Sequence, residues 1–376
     1  MNKNFGIVLL AVLATSACTG QKNIDPADNI SLMPYPQTHK GEVAEDYFGT
    51  TVEDPYRWLE DDLSSETKAW VEVQNEVTEN YLAQIPYRSA IQSRLEKLWN
   101  YEKFSAPFKE GDYTYFYKND GLQNQSVLYR QKGEDGEVGV FLDPNTFSAD
   151  GTTSLAGIAF SKDGSLVAYQ LSEGGSDWRK VVVIRAEDKS LVGDTLMDVK
   201  FSGLAWRGNE GFYYSSYDKP TEGSALSAMT DQHKLYFHSL NTPQSEDKLI
   251  FGGSAQPRRY IGGYLTEDEQ YLVISAANAT SGNELYIQDL AQTGSTIIPI
   301  VNNMEKEHYV LASDGKKLII YTNLDAPNGK VVQTQAGAPQ PSNWGDLIPE
   351  ADQVLSPATA PVEARYLHII YKMPLH

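Results

Sequence analysis

The sequence predicts a mainly β chain built as a β-propeller, and two observations carry that prediction. The first is a hairpin unit written four times. Gly157-Ile-Ala-Phe-Ser-Lys-Asp-Gly-Ser-Leu-Val-Ala-Tyr169 is an apolar strand, a polar turn and a second alternating strand, and the same order returns at 203–215, 263–275 and 308–321. The turns fall near residues 164, 209, 268 and 315, a period of roughly 45 to 60 residues, which suits the four short strands of one propeller blade. The second is that strand patterns and turn clusters such as Gly133-Glu-Asp-Gly136 fill the chain after Tyr101, with no helical periodicity among them. Unrelated hairpins in a sandwich remain the alternative, but they would not repeat one hairpin type at near-constant spacing. Five blades are expected, near 101–150, 151–200, 201–255, 256–300 and 301–350, with a sixth beginning near Val354.

Taken in order, the N-terminus reads as an export signal. Lys3 gives a small positive start, and Phe5 to Ala14 is an apolar run too short to span a bilayer. Thr15-Ser-Ala-Cys18 ends residues 1–18, and Cys18 is the chain's one cysteine. Small residues before a lone cysteine resemble the lipobox of bacterial lipoproteins, although Thr15 stands where a branched aliphatic residue is usual. Lipidation at Cys18 with membrane attachment is therefore expected, with ordinary cleaved secretion or an uncleaved anchor as alternatives, and the periplasm as the compartment. Residues 19–33 read as a linker.

Residues 31–100 read as an N-terminal arm. Asp54-Pro-Tyr-Arg-Trp-Leu-Glu60 is dense in aromatic and turn residues, with Trp58 expected to be buried. Ser64 or Ser65 can cap a helix whose Trp70, Val73, Val77 and Tyr81 share one face, Pro86 ends it, and a second helix is expected over about Arg88 to Asn100. Residues 101–376 are then the propeller, incomplete at its C-terminal end.

Composition narrows the function classes. With 50 acidic and 31 basic residues the net charge is −19, which repels phosphate backbones and anionic lipid, so no nucleic-acid partner is expected. Hydrophobic residues at 41% and aromatics at 11% support a packed core. One cysteine allows no internal disulfide. No cluster has metal-ligand spacing and no glycine-rich phosphate loop is present, so neither a metal nor a cofactor is expected.

Six segments in order now carry a resemblance: Asp54-Pro-Tyr-Arg-Trp-Leu-Glu60, the helix reaching Trp70 and Gln74-Asn75, Gly175-Ser-Asp-Trp178, Lys200-Phe-Ser202, Ala205-Trp206 and Thr242-Pro-Gln-Ser-Glu-Asp247. Together, over about residues 31–350, the chain resembles the prolyl oligopeptidase family. That resemblance implies a seven-bladed propeller, here reaching five to six blades, over an α/β-hydrolase domain that cleaves short peptides after proline through a serine. It implies short proline-containing peptides as partners once a hydrolase domain is present, and a monomer. It also implies that residues 31–100 pack on the hydrolase side.

The sequence departs from the family in one respect. No Gly-x-Ser-x-Gly elbow occurs: the nearest fragments, Gly174-Gly-Ser-Asp-Trp178 and Gly252-Gly-Ser-Ala-Gln256, lack the final glycine. The hydrolase domain is thus expected to be absent, catalytic residues are none, and the chain alone is expected to be inactive. A stand-alone periplasmic propeller acting as a binding or scaffold module is the alternative. By position, the resemblance puts Phe201, Ile261 and Thr280 beside the substrate; the competing reading makes Phe201 and Ile261 blade-packing residues. His233 and His238 read as structural, and 215–231 as a long polar loop.

Overall fold

A computed structural model of the chain describes residues 30–219, 230–362 and 365–370. The signal segment, Cys18 and the middle of the polar loop therefore lie outside the described residues. The described chain falls into two compact units, divided between Lys97 and Leu98.

The first unit holds an antiparallel hairpin, β1 (Ala44–Tyr47) with β2 (Thr50–Glu53), a 3-10 turn at Arg57–Glu60, and α1 (Ser65–Ala83); the second helix, α2 (Arg88–Trp99), runs across the division. Ser64 is the cap: its hydroxyl accepts from the Thr67 amide at 3.0 Å and satisfies one of the helix's orphan N–H groups. Pro86 sits between the helices, where it cannot continue either. Trp58 is half-buried, not buried as expected. No residue of 30–97 is buried, so the indole is held at the surface by its N–H, which donates to the His39 carbonyl at 3.0 Å. Trp70 and Val77 are half-buried, while Val73 and Tyr81 stay 42% and 41% exposed.

The second unit is a series of antiparallel sheets whose strands follow sequence order. Blade 1 comprises Phe108–Glu110, Tyr113–Asn119, Val127–Lys132 and Gly139–Leu142, with Lys103–Phe104 also paired to its second strand. Blade 2 comprises Thr153–Phe160, Leu166–Glu173, Trp178–Arg185 and Leu196–Lys200. Blade 3 comprises Leu204–Arg207, Gly211–Ser216, Lys234–Ser239 and Lys248–Gly252. Blade 4 comprises Tyr260–Leu265, Tyr271–Ala277, Glu284–Asp289 and Ile298–Val301. Blade 5 comprises His308–Asp314, Lys317–Thr322, Lys330–Gln335 and Gly345–Ile348. A further hairpin pairs Leu355–Val362 with Arg365–Ile370.

The core is divided among the spaces between consecutive blades. In a strand alternate side chains point to opposite faces, and Val181-Val-Val-Ile184 shows the consequence. Val182 and Ile184 pack with Tyr115, Leu128 and Phe141 of blade 1, whereas Val181 and Val183 pack with Trp206, Phe212 and Tyr214 of blade 3. Tyr213 turns the other way, to Ile261, Leu272 and Ile274 of blade 4. Val273 and Ile287 then meet Val310 and Ile320 of blade 5. Middle strands are apolar on both faces because each is covered on both faces.

One regular feature carries no sequence motif. In all five blades the pairing of the third with the fourth strand shifts register once, at Leu128/Tyr129, Arg179/Val181, Leu235/Tyr236, Leu285/Tyr286 and Val331/Val332. Such a bulge increases local twist and bends the outer strand.

The strand order gives each blade two ends. At one lie the turns between first and second strands, where the four repeated hairpins bend; these turns meet across blades. The Lys162 ammonium donates to the Glu267 carbonyl at 2.8 Å, the Gly208 amide donates to Glu269 at 2.8 Å, and Tyr271 donates to the Gly315 carbonyl at 3.2 Å. At the other end lie the second-to-third-strand loops and the links between blades.

Candidate substrate-facing site

Phe201, Ile261 and Thr280 all lie at that second end, in positions fixed by topology. Phe201 is in the link from blade 2 to blade 3, Ile261 opens the first strand of blade 4, and Thr280 is in the loop between that blade's second and third strands. Their surroundings differ. Phe201 is 41% exposed, with its ring edge-on to Tyr260 at 5.7 Å and to Tyr217 at 6.3 Å. Ile261 is 1% exposed, its side chain packed with Tyr213, Leu235, Leu272 and Ile274 between blades 3 and 4. Thr280 is exposed in a bend. Tyr260, one residue before Ile261, is the exposed aromatic that meets Phe201.

The Phe201 backbone is held in an uncommon shape. Its φ of 52° is left-handed, a region a bulky side chain occupies only when its surroundings impose it. Those surroundings bracket it on both sides. The preceding Lys200 carbonyl lies 3.0 Å from His233 Nε2, the following Ser202 carbonyl accepts from Gln170 Nε2 at 2.9 Å, and the Ser202 hydroxyl accepts from the Ser215 amide at 2.7 Å. Arg179 donates to Gln170 Oε1 at 2.8 Å and keeps that amide turned toward Ser202. Both residues belong to blade 2, so this tie is internal to the blade.

Lys200 completes the patch, with its ammonium 4.7 Å from the Trp178 ring centroid and 5.2 Å from that of Phe201. Aromatic faces attract cations at this range. At the same end of blade 4, Arg259 donates to buried Glu284 at 2.6 Å, and Tyr286 donates to the same carboxylate at 2.9 Å. Together these residues make an aromatic surface with two cations at its margin, suited to apolar side chains and to the carbonyls of an extended peptide.

His233 is the residue whose part the sequence did not reveal. It lies just before the third strand of blade 3 and is completely buried. The Ile261 amide donates to its Nδ1 at 2.8 Å. A nitrogen that accepts carries no proton, so the proton sits on Nε2 and is donated to the Lys200 carbonyl. Burial pushes the ring below the ordinary imidazole range, and the Lys200 carbonyl opposes this only in part. The Tyr217 ring covers it at 4.5 Å between centroids. A lone histidine in strand-like sequence gave no hint that its ring would bridge Lys200 and Ile261.

No described residues assemble a serine–histidine–aspartate triad open to substrate. His238 and Asp247 pair as two of the three members would, at 2.8 Å, but both side chains are 3% exposed. The other Asp247 oxygen accepts from the Tyr214 hydroxyl at 2.7 Å. This is an interior tie that holds the Thr242–Asp247 segment against blade 3. A cleft of about 530 Å³ lined by Tyr271, Asp289, Lys316 and Gln335 opens at the far end of the strands from Phe201. It is a gap between blades 4 and 5.

Comparison with known proteins places this architecture. The description "Prolyl oligopeptidase, N-terminal beta-propeller domain" matches residues 35–373. The chain belongs to the prolyl oligopeptidase family. It is 56% identical over 327 residues to a prolyl endopeptidase of Elizabethkingia miricola, an alignment covering 87% of this chain and 46% of that relative. A prolyl endopeptidase of Elizabethkingia meningoseptica is 56% identical over 329 residues, covering 88% and 46%. Among solved structures, prolyl oligopeptidase B of Galerina marginata, bound to a 25mer macrocyclization substrate, superposes with a TM-score of 0.74 at 28% identity, over 89% of this chain and 51% of that one. The chain spans about half the length of the curated relatives it matches.

Proposed function

We propose that this chain is the substrate-admitting propeller of an exported prolyl oligopeptidase-type serine peptidase, which cleaves short peptides on the carboxyl side of proline. The observation that carries the proposal is the 56% identity to prolyl endopeptidases over 87% of the chain. In this reading Phe201 supplies an exposed aromatic wall, Ile261 backs that wall from the core, and Thr280 borders it from the neighbouring loop. The serine chemistry, attack on the prolyl carbonyl and release of an acyl-enzyme by water, belongs to a hydrolase domain such as the family pairs with its propellers; Gly-x-Ser-x-Gly occurs nowhere in this sequence. The propeller contributes selection, since a ring of blades over an active site admits a peptide and excludes a folded protein. Cys18 is proposed as a lipid attachment point holding the protein at a membrane on the periplasmic side.

The test combines residues 30–376 with the separately produced remainder of the Elizabethkingia miricola relative and assays a chromogenic glycyl-proline peptide. Cleavage after proline that needs both parts supports the reading. A well-mixed, folded pair without cleavage contradicts it and favours a stand-alone binding module.

A further inference from the structure

His233 joins three blades through one imidazole. It belongs to blade 3, accepts from the first strand of blade 4 at the Ile261 amide, and donates to the end of blade 2 at the Lys200 carbonyl, with distances of 2.8 and 3.0 Å. Lys200 immediately precedes Phe201, and Tyr260, the ring that meets Phe201, immediately precedes Ile261. Each of the two bonds is therefore one residue away from one member of the Phe201–Tyr260 pair. Only one protonation state serves both: a neutral ring with the proton on Nε2. Complete burial favours neutrality, because a charged ring would lose its hydration without gaining a counter-ion. Gly252 shows how closely this joint is packed. A Cβ there would stand 2.4 Å from Ile261 Cδ1 and 2.5 Å from the His233 carbonyl oxygen.

We infer that His233 is a positioning residue for substrate recognition: it sets the Lys200–Phe201 turn against the Tyr260–Ile261 strand and so fixes the aromatic wall offered to an apolar side chain of the substrate. The inference rests on the reading of this end as the substrate side. His233 itself, being buried, touches no substrate.

Two half-mimics separate the bonds. His233→Asn keeps an acceptor near the Nδ1 position and drops the donor; His233→Gln keeps a donor near the Nε2 position and drops the acceptor. With fluorophenylalanine placed at position 201, the fluorine resonance of His233→Asn, which frees the Lys200–Phe201 turn itself, is expected to shift and broaden clearly more than that of His233→Gln, which frees only the strand carrying Tyr260. In the reconstituted enzyme, His233→Asn is expected to raise KM about tenfold with kcat nearly unchanged, since the wall contributes binding rather than chemistry. A purely structural histidine would lower the melting temperature in both variants and leave resonance and KM of the folded protein alike in the two; that result overturns the inference. If the resonance moves but neither His233→Asn nor Phe201→Ala alters KM, the substrate reading of this end is what falls.

Discussion

The Tyr264 hydroxyl of blade 4 lies 2.9 Å from the Val310 amide nitrogen and 3.0 Å from the Val310 carbonyl oxygen of blade 5, accepting from one and donating to the other. Val310 is on the first strand of its sheet, whose outer edge has no strand partner among the described residues. One phenol thus satisfies two backbone groups at a sheet edge, which would otherwise be open to pairing or to water. Trp206 acts in a related way, its indole donating to the Ala159 carbonyl of blade 2 at 3.0 Å. Neighbouring blades are tied by such hydrogen bonds as well as by apolar contact.

Replacing Tyr264 by Phe keeps the ring and removes both bonds. Leaving partly buried backbone groups unsatisfied costs about 1–3 kcal/mol, so the urea midpoint of Tyr264→Phe is expected to fall by that equivalent at unchanged m-value. An unchanged midpoint would show that water replaces the hydroxyl without loss.

Two glycines of the repeated turn motif should respond differently to a methyl group. Gly164 and Gly315 both have left-handed φ, 70° and 59°. A Cβ at Gly164 would stand 2.4 Å from the Gly111 amide nitrogen of blade 1, whereas one at Gly315 meets nothing within 4 Å. Gly315→Ala is expected to cost only the left-handed penalty of about 1–2 kcal/mol. Gly164→Ala must also push two turns apart and should cost clearly more, as read from paired thermal melts.

Acid should loosen blade 5 through His308. Its ring is buried, Nδ1 pairs with the Thr322 hydroxyl at 2.9 Å, and burial pushes its pKa down to about 4. In the unfolded chain an ordinary imidazole titrates near 6.5. The unfolded state therefore takes up the proton first as pH falls. The stabilisation is complete above about pH 6.5 and is lost progressively down to about pH 4, on the order of 3 kcal/mol in all. Urea midpoints between pH 7.5 and 4.5 should show this slope, and His308→Gln should flatten it. His233 acts in the same direction.

The lipid attachment proposed at Cys18 makes a separate prediction. Cys18→Ser should move the protein from the membrane fraction to the soluble periplasmic fraction and abolish incorporation of labelled palmitate. Retention of the serine variant on membranes would contradict the attachment.

The blades were legible in the sequence because a propeller repeats both its turn chemistry and its alternation. Ser161-Lys-Asp-Gly164 announces a turn, and Val181-Val-Val-Ile184 announces a strand covered on both faces. The recurrent bulge was not legible, since a register shift between third and fourth strands needs no residue of its own. Phe201 was singled out through the Lys200-Phe-Ser202 segment, but its left-handed backbone depends on Gln170, Ser215 and His233, which are 14 to 32 residues away. Ile261 shows the limit of position alone: its place at the start of a blade's first strand could be read from the repeat, whereas the burial of its side chain against Leu235 and Ile274 follows from three-dimensional packing.

The most direct measurement is photo-crosslinking with a short peptide that carries a benzophenone beside its proline, followed by mapping of the modified residues in the reconstituted pair and in residues 30–376 alone. The account predicts adducts at the Phe201 end, on Phe201, Tyr260 or the Thr280 loop, with loss of most adduct in Phe201→Ala. Adducts confined to the Asp289–Lys316 cleft at the opposite end of the strands would contradict it.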